Sequence, residues 1–335
     1  MAERILILGV SDRGKTYTAH QLAREAARTH KVALIDADTG QSELGPPGTV
    51  SWAWMTPEGP QRGGTRFVGA LSPASAALEQ VVSLLEVVRQ AESAGANLLF
   101  VDTPGYVQGP GARRFLAALV QAIPPSRILV LEREGELGSL PGMLATLSGA
   151  DLTSLPVADA VLRKSPSVRA TRRLTRLARA LEDAVERQAS LEGLTTLGTL
   201  LGAGAPIAPH LARWAGTALH LSVVYGEISE STLTLFITGT LRPGWESLVG
   251  PVLDHFGVAR VRALSLTALE GTCLGLHDET GRFLGLGRFL GFDPETQRLK
   301  LSTTASTERL TLLTFGRFRA AANGQFLGEL KPGEV

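Results

Sequence analysis

The sequence predicts an α/β fold in which a parallel sheet, covered by helices on both faces, precedes a separate β-rich domain. Apolar runs of strand length alternate with helical stretches up to about residue 132, and this alternation is typical of parallel sheets. A motif of the form G-x-x-x-x-G-K-T separates the first run from the first helical stretch at Gly9–Thr16. From about residue 191, shorter β-type runs alternate with Gly and Pro turns. We therefore predict one domain over residues 1–190 and a β-rich domain over residues 191–335.

The motif at Gly9–Thr16 predicts a phosphate-binding loop. It follows the strand-like run Arg4–Leu8 and precedes a helical stretch over 17–29. Glycines let the backbone turn so that successive N–H groups point at phosphate oxygens, and the helix N-terminus adds partial positive charge. Lys15 is expected to reach the β- and γ-phosphates, and the Thr16 hydroxyl to bind Mg²⁺. The fold is therefore predicted to be a P-loop NTPase sheet that binds ATP through Gly9, Asp12, Arg13, Gly14, Lys15, Thr16 and Tyr17.

Composition excludes several classes of protein. The chain has 335 residues and a formal net charge of +1, so any site for nucleic acid must be a local basic patch. Cys273 is the only cysteine, which excludes an intrachain disulfide framework and a multi-cysteine zinc site. No stretch approaches the roughly 18 apolar residues that span a membrane, and the N-terminal run is too short for a signal peptide. We expect a cytoplasmic protein that does not associate with membranes.

Acidic residues end the second predicted strand, Lys31–Ile35, where Asp36 and Asp38 precede Gln41. We expect this strand to lie beside the P-loop strand, because α/β sheets bind ligands at the carboxyl ends of such strands. One carboxylate would orient Mg²⁺ or its water, or accept a proton from an attacking hydroxyl. A turn with a helix cap is the alternative, since Asp is common there. Two carboxylates and an amide on one short loop favour the functional interpretation.

A third predicted strand, Asn97–Val101, ends in Asp102. An apolar strand closed by Asp is the Walker B pattern, in which the carboxylate reaches the metal shell. The remaining elements predicted for this domain are short strands and turns over 49–75, helices over 74–94 and 112–122, and a fourth strand over 127–132.

Seven basic residues and no acidic ones lie between Arg163 and Arg179. A solvated helix face is the ordinary explanation of a charge run. One-sign clustering in a nearly neutral chain instead favours anion binding. From about Arg169 the pattern is helical, which predicts a lid over about 163–187 whose arginines neutralise a transferring phosphoryl group. The seven residues are Arg163, Lys164, Arg169, Arg172, Arg173, Arg176 and Arg179.

The β-rich domain is predicted from seven runs of β character. They lie at 218–224, 232–237, 258–263, 272–276, 284–292, 299–303 and 310–313.

Taken in order, these motifs resemble those of the polynucleotide 5′-hydroxyl kinase family, which includes the kinase subunit of the eukaryotic pre-mRNA cleavage complex, rRNA-processing polynucleotide kinases and archaeal RNA kinases. The D-x-D-x-G-Q loop is the most specific motif, and the resemblance covers roughly residues 4–310. The matching segments are Gly9–Thr16, Asp36–Gln41 with Pro47–Thr49, Asp102–Gly109, Arg163–Pro166 and the tail Cys273–Leu301.

The resemblance implies transfer of the γ-phosphoryl group of ATP to the 5′-OH of single-stranded or end-exposed RNA or DNA. It implies Lys15 and Asp36 as catalytic residues, with Asp36 activating the hydroxyl or ordering the metal. The lid arginines would be Arg169 together with Arg173 or Arg172. Tyr106 stands where the family usually has Trp, and its ring keeps a face for the terminal base. Mg²⁺ is expected at Thr16, Asp36 and Asp102, and the substrate at Asp38, Gln41, Thr103 and Tyr106.

Three other functions remain as alternatives. A regulatory GTPase shares the D-x-x-G pattern at Asp102–Gly105, but Leu131–Glu134 stands where a guanine-reading N-K-x-D motif is expected. A nucleotide-gated scaffold would bind ATP without turnover, although Lys15, Thr16 and Asp36 are all present. A small-molecule kinase is the third, and a long basic helix suits a polymer better. The sequence makes no prediction about protein partners.

Overall fold

The computed structural model describes residues 2–158, 161 and 165–330. The chain forms two compact units, Met1–Arg176 and Leu177–Val335. This division lies before the predicted boundary at residue 190. The reason is that the strand Val185–Ser190 pairs with Arg298–Thr303 and so belongs to a sheet of the second unit.

The first unit is built on a mixed sheet of seven described strands in the order β4-β3-β2-β5-β1-β6-β7. Strands β2, β5, β1, β6 and β7 are parallel, whereas β3 and β4 form an antiparallel hairpin at one edge. The strands are β1 Glu3–Leu8, β2 Val32–Asp36, β3 Thr49–Thr56, β4 Gly59–Phe67, β5 Leu98–Asp102, β6 Arg127–Leu131 and β7 Asp151–Leu155.

Helices cover both faces of this sheet, as predicted. Alternate residues of a strand point to opposite faces, so a strand buried on both sides is apolar throughout. In β1, Ile5 and Ile7 pack in the same core as Ala19 of the first helix, whereas Leu6 and Leu8 pack with residues of the next three helices. The helices that cover the sheet are α1 Lys15–Ala26, α2 Ala77–Ser93, α3 Gly109–Ala122 and α4 Leu140–Ser148, and the lid helix is α5 Pro166–Ala180.

The strand order corrects one prediction. β2 does not lie beside the P-loop strand, because β5 is inserted between them and pairs with both. Asp36 and Asp102 are consequently register partners on adjacent strands. Three carboxyl ends, those of β1, β5 and β2, therefore meet at one edge of the sheet, and the loops that follow them form the site.

Two elements of the first unit, α4 and β7, were not predicted. β7 is an edge strand whose first four residues are exposed, so it lacks the apolar run that identifies a buried strand. α4 has only nine residues, and Pro141 and Gly142 lie in its first turn, so it lacks a clear helical pattern.

The second unit contains two described sheets. One has the order β10-β11-β12-β13, and the other has the order β18-β17-β14-β15-β16-β8 with β9 paired to β17. The strands are β8 Val185–Ser190, β9 Thr195–Leu197, β10 Ala205–Pro206, β11 Val223–Ser229, β12 Thr232–Ile237, β13 Arg260–Ser265, β14 Thr272–His277, β15 Phe283–Asp293, β16 Arg298–Thr303, β17 Leu312–Ala320 and β18 Phe326–Glu329. The helices are α6 Pro209–Leu219, α7 Gly250–Phe256 and α8 Leu266–Leu269, with a 3₁₀ turn at Trp245–Leu248.

The β-rich character of this unit is confirmed, but the run predicted at 218–224 was wrong in its first half. Ala218 and Leu219 end α6, and the strand begins only at Val223. Ala212, Ala215 and Leu219 form the buried stripe of that helix. In the described part of the chain, no helix combines the length and the hydrophobicity needed to traverse a lipid bilayer.

Candidate active site

The P-loop connects β1 to α1, and two of its glycines are required by geometry. Gly14 caps α1 with φ +85°, in the left-handed region that favours glycine. A Cβ on Gly9 would lie 2.5 Å from the carbonyl oxygen of Leu131, at the end of β6. The loop can therefore pass close to β6 and turn sharply into the helix, which leaves the N-terminus of α1 facing a cavity.

The cavity above the P-loop has a volume of about 360 Å³. We call it the P-loop cavity. It combines the loop, the segment after β2 and the arginine face of α5, all within the first unit. Most of the predicted nucleotide-binding residues line it, together with several that were not predicted. The lining residues are Ser11, Asp12, Gly14, Lys15, Thr16, Tyr17, His20, Asp38, Gln41, Glu43, Arg169, Arg172 and Arg176.

Lys15 is held as a buried cation at the base of this cavity. Only 7% of the residue is exposed, and its Nζ donates to the carbonyl oxygen of Val10 over 3.0 Å. Burial lowers the pKa of Lys15, while the carboxylates of Asp102 and Asp38 act in the opposite direction. A desolvated ammonium of this kind gains most from an incoming anion, so Lys15 suits a phosphate ligand.

Thr16 and Asp102 fit the protein side of a magnesium site. The Thr16 hydroxyl donates to Oδ2 of Asp102 over 2.6 Å, and Oδ1 of Asp102 is buried with no hydrogen-bond partner in the structure. Within the described residues, no group of three or more His, Cys, Asp or Glu side chains could hold an ion alone. Mg²⁺ does not need one, because it commonly binds one or two carboxylates, waters and substrate phosphates.

Asp36 was predicted as a catalytic and metal-binding residue, but its carboxylate is occupied by its own loop. Oδ1 accepts the N–H of Asp38 over 3.1 Å. Oδ2 accepts the hydroxyl of Ser42 and the N–H groups of Glu43 and Leu44. Asp36 lines neither the P-loop cavity nor the two cavities described below. Burial raises its pKa and these hydrogen bonds oppose the rise. The carboxylate therefore fixes the loop over 36–44.

Of Asp36 and Asp38, it is Asp38 that lines the site. It is half-buried and lines both the P-loop cavity and a neighbouring one. Its Oδ1 accepts the N–H groups of Gly40 and Gln41 over 3.1 and 3.0 Å. This Asx-type turn orients the side chain towards the cavities, and Oδ2 accepts no hydrogen bond from the described residues.

Two further cavities, each of about 280 Å³, adjoin the P-loop. The acceptor cavity contains Asp38, Gln41 and Arg173, and the Arg13 cavity contains Arg13 and Glu136. Tyr106 lines both of them. Ser11 and Arg169 line these two cavities and the P-loop cavity, so all three meet at this pair of residues.

Two of the lid arginines, Arg169 and Arg176, form ion pairs, and two others, Arg172 and Arg173, are described by the cavities that they line. Nη1 of Arg169 lies 2.9 Å from Oδ2 of Asp12, as an ion pair with the P-loop itself. Arg176 donates to the carbonyl oxygens of Gln41 and Ser42 and pairs with Glu43 over 3.2 Å. Arg172 and Arg173 line cavities. Arg163 and Lys164, which the sequence placed in the same lid, lie outside the described residues.

Two predicted site residues form contacts within the protein. Thr103 is completely buried and donates its hydroxyl to the carbonyl oxygen of Ile7 over 2.7 Å, so it joins the end of β5 to β1. The Arg13 side chain lines one of the two neighbouring cavities and forms a two-pronged ion pair with Glu136, with both N···O distances 2.6 Å.

Sequence reasoning missed Ser11, His20, Glu43 and Glu136 as site residues, whereas Arg176 was expected only as one of the lid cations. His20 lies four residues after Thr16 on α1, on the same helix face, and that spacing was a usable signal. Glu136 follows β6 and reaches the site only through its pairing with Arg13, which no local pattern predicts.

Comparison with known proteins agrees with this geometry. The family model for the mRNA cleavage and polyadenylation factor CLP1 P-loop matches residues 9–181, which span the P-loop, the Asp36–Glu43 loop and the lid helix. The chain belongs to the CLP1 P-loop family.

Two relatives with similar sequences come from archaea. A polyribonucleotide 5′-hydroxyl-kinase of Pyrococcus horikoshii is 27% identical over 97% of this chain and 88% of its own length. One of Thermococcus kodakarensis is 28% identical over 99% of this chain and 92% of its own length. The solved structure of Clp1p in complex with a Pcf11p fragment matches with a TM-score of 0.59 over 95% of this chain and 74% of that chain, at 13% identity. This chain therefore shares its fold with Clp1p.

Burial of Asp102 predicts a pH dependence of stability in the metal-free, nucleotide-free protein. Burial raises the pKa of Asp102 to about 8, against about 4 in an unfolded chain. Between these values the folded state holds a proton that the unfolded state has lost, so the free energy of unfolding should fall as pH rises. Urea unfolding between about pH 5 and pH 8 in EDTA measures this slope. The slope should be shallower in Asp102→Asn, and equal slopes in the two proteins would contradict the assignment.

Proposed function

We propose that this protein is an ATP-dependent polynucleotide 5′-hydroxyl kinase whose acceptor is RNA. The observation that carries the proposal is the position of Asp38, a half-buried carboxylate that lines both the P-loop cavity and the acceptor cavity. Phosphoryl transfer requires a donor phosphate and an acceptor hydroxyl to meet. Asp38 lies where those two cavities adjoin, between Lys15 on one side and Arg173 on the other.

The donor side follows from the P-loop. Lys15, the P-loop N–H groups and the N-terminus of α1 bind the ATP phosphates. Thr16 and Asp102 hold Mg²⁺, which when bound neutralises charge on the phosphates. Arg169 and Arg172 face the same cavity from α5 and neutralise charge on the transferring group.

The acceptor side is organised by Asp38 and Tyr106. Asp38 orients the 5′-hydroxyl and accepts its proton late in the transfer, for which an ordinary carboxylate is sufficient. Tyr106 offers an aromatic face to the terminal base. Its ring is steadied by Phe115, with 6.3 Å between the ring centroids. We propose RNA as the preferred acceptor because the similar archaeal proteins are named polyribonucleotide 5′-hydroxyl-kinases.

A regulatory GTPase fits the described residues less well. Side chains after β6, where a guanine-reading motif would stand, are used to hold loops. Glu132 accepts the N–H of Leu137, and Arg133 donates to the carbonyl oxygens of Ala158 and Val161. The arginines on α5 also have no function in that class of protein.

Transfer of labelled γ-phosphate from ATP to 5′-OH RNA and DNA oligonucleotides of one sequence tests the proposal. We expect label on the 5′ end, more rapidly on RNA, and none on the same oligonucleotides carrying a 5′-phosphate. Lys15→Ala should abolish transfer. Arg28→Ala, whose side chain is 65% exposed in the turn after α1, is the matched control and should retain it. ATP binding without transfer to any oligonucleotide would overturn the proposal in favour of a nucleotide-gated scaffold, and hydrolysis of GTP alone would favour a GTPase.

A further inference from the structure

The Arg13 cavity has no role in the chemistry described so far. It has a volume of about 280 Å³ and is formed by the P-loop, the segment after β5, the loop after β6 and α5. Polar or aromatic side chains line most of it. They are Ser11, Arg13, Tyr106, Gln108, Glu136 and Arg169. Its chemistry is therefore that of a polar, partly cationic subsite.

Arg13 is held in a fixed orientation at this cavity. Its Nε and Nη2 donate to the two carboxylate oxygens of Glu136, both over 2.6 Å, and its side chain is 15% exposed. The pair raises the pKa of Arg13 and lowers the pKa of Glu136. A guanidinium has five N–H donors. Glu136 takes two, and the carbonyl oxygen of Asp12 takes a third at a long 3.5 Å. Two donors are left with no partner among the described residues.

A rigid guanidinium with unused donors on one edge suits a phosphate oxygen. The position of Arg13 also suits the binding of a phosphate group. The Arg13 cavity and the acceptor cavity share Ser11, Gly105, Tyr106 and Arg169, so a strand can pass from one to the other along Tyr106. A terminal nucleoside whose 5′-hydroxyl is at Asp38 occupies the acceptor cavity. The next group on its 3′ side is an anionic phosphodiester.

We propose that the Arg13 cavity binds the first phosphodiester on the 3′ side of the terminal nucleoside, with Arg13 as its ligand. This inference rests on the proposed kinase function. Glu136 orients Arg13, and its negative charge also repels the phosphate. Gln at this position keeps a side-chain oxygen that can accept from Arg13 and loses the charge, so the repulsion is what this substitution removes. Removing Arg13 and removing the charge of Glu136 therefore change acceptor binding with opposite sign, which a purely structural clamp would not do.

The test compares adenosine with adenosine 3′-monophosphate as acceptors at saturating ATP. Wild-type protein should prefer the 3′-phosphate by at least about tenfold in kcat/KM, the scale of a charge-assisted hydrogen bond. Arg13→Ala should remove most of this preference, measured as the ratio of kcat/KM for the two acceptors within the same variant. Glu136→Gln keeps the size of the side chain and removes its charge, and should increase the preference severalfold. Arg28→Ala should retain the wild-type ratio.

Equal kcat/KM values for adenosine and adenosine 3′-monophosphate in the wild-type protein would overturn the proposal of a phosphate subsite. So would Arg13→Ala and Glu136→Gln variants that lower kcat/KM for both acceptors by the same factor, because that result describes a structural clamp. Failure of the kinase proposal is distinguishable, since it gives no transfer to any acceptor. In that case calorimetric binding of the dinucleotide ApA decides the inference. An affinity about tenfold weaker in Arg13→Ala supports the phosphate subsite, and equal affinities reject it.

Discussion

Asp38→Asn is expected to lower kcat for phosphoryl transfer by about 10²- to 10⁴-fold, the range for loss of a general base. The affinity for ATP should change little, because the P-loop N–H groups and Lys15 are untouched. Asn retains the Oδ1 acceptor for the N–H groups of Gly40 and Gln41, so the turn is preserved. Only the negative charge facing the acceptor is lost.

Asp36→Asn is the matched comparison, two residues away on the same loop, and should behave differently. An amide at this position cannot accept all four hydrogen bonds that the carboxylate receives from Asp38, Ser42, Glu43 and Leu44. An unsatisfied buried donor costs about 1–3 kcal/mol, so the thermal midpoint should fall. Activity should be lost because the loop becomes disordered, and the remaining rate of transfer should depend less steeply on the concentration of the acceptor.

Single-turnover rates, ATP affinity by calorimetry and thermal melts on both variants separate these roles. The assignment of Asp38 as the general base would be contradicted by one pair of results. Asp36→Asn would lose all turnover at an unchanged Tm, and Asp38→Asn would remain active. Asp36 would then be the general base.

This pair shows where sequence reasoning is sufficient and where it is not. The loop could be found because two carboxylates and Gln41 follow an apolar strand, and that signal is local. Which carboxylate faces the cavity depends on the turn over 38–41 and on three donors from 42–44 that close around Asp36. Those contacts are tertiary in character, so composition and spacing do not distinguish the two residues.

The same limit applies to the sheet. Buried parallel strands are apolar throughout, so β1, β2, β5 and β6 were recognisable from the sequence. Their order was not, because the crossover that places β5 between β1 and β2 leaves no mark within any strand. Thr103 and Arg13 illustrate the consequence. Each lies in a motif with the expected spacing, yet the packing of neighbouring strands and loops directs Thr103 to Ile7 and Arg13 to Glu136.

Arg169→Ala is the other substitution with a large expected effect, a loss of about 10³-fold in kcat, the lower end of what a transition-state arginine contributes. Arg169 lines all three cavities that meet at the P-loop, which places its guanidinium where donor and acceptor come together. Its guanidinium pairs with Asp12. Removing it therefore deletes a cation from the transferring group and also removes one ion-pair partner of the Asp12 carboxylate, which lines the P-loop cavity.

These two contributions can be separated with the double variant Asp12→Asn/Arg169→Ala. Asn tolerates the left-handed backbone of residue 12, where φ is +61°. If loss of the ion pair to Asp12 causes part of the defect of Arg169→Ala, the double variant should regain affinity for ATP but should not regain kcat. Arg176→Ala is the comparison within the same helix, because Arg176 holds the carbonyl oxygens of Gln41 and Ser42 and so positions the loop. It should raise KM for the acceptor more than it lowers kcat. An Arg169→Ala enzyme with wild-type kcat and a raised KM would assign Arg169 the same positioning role and leave Arg172 as the arginine that acts on the phosphoryl group.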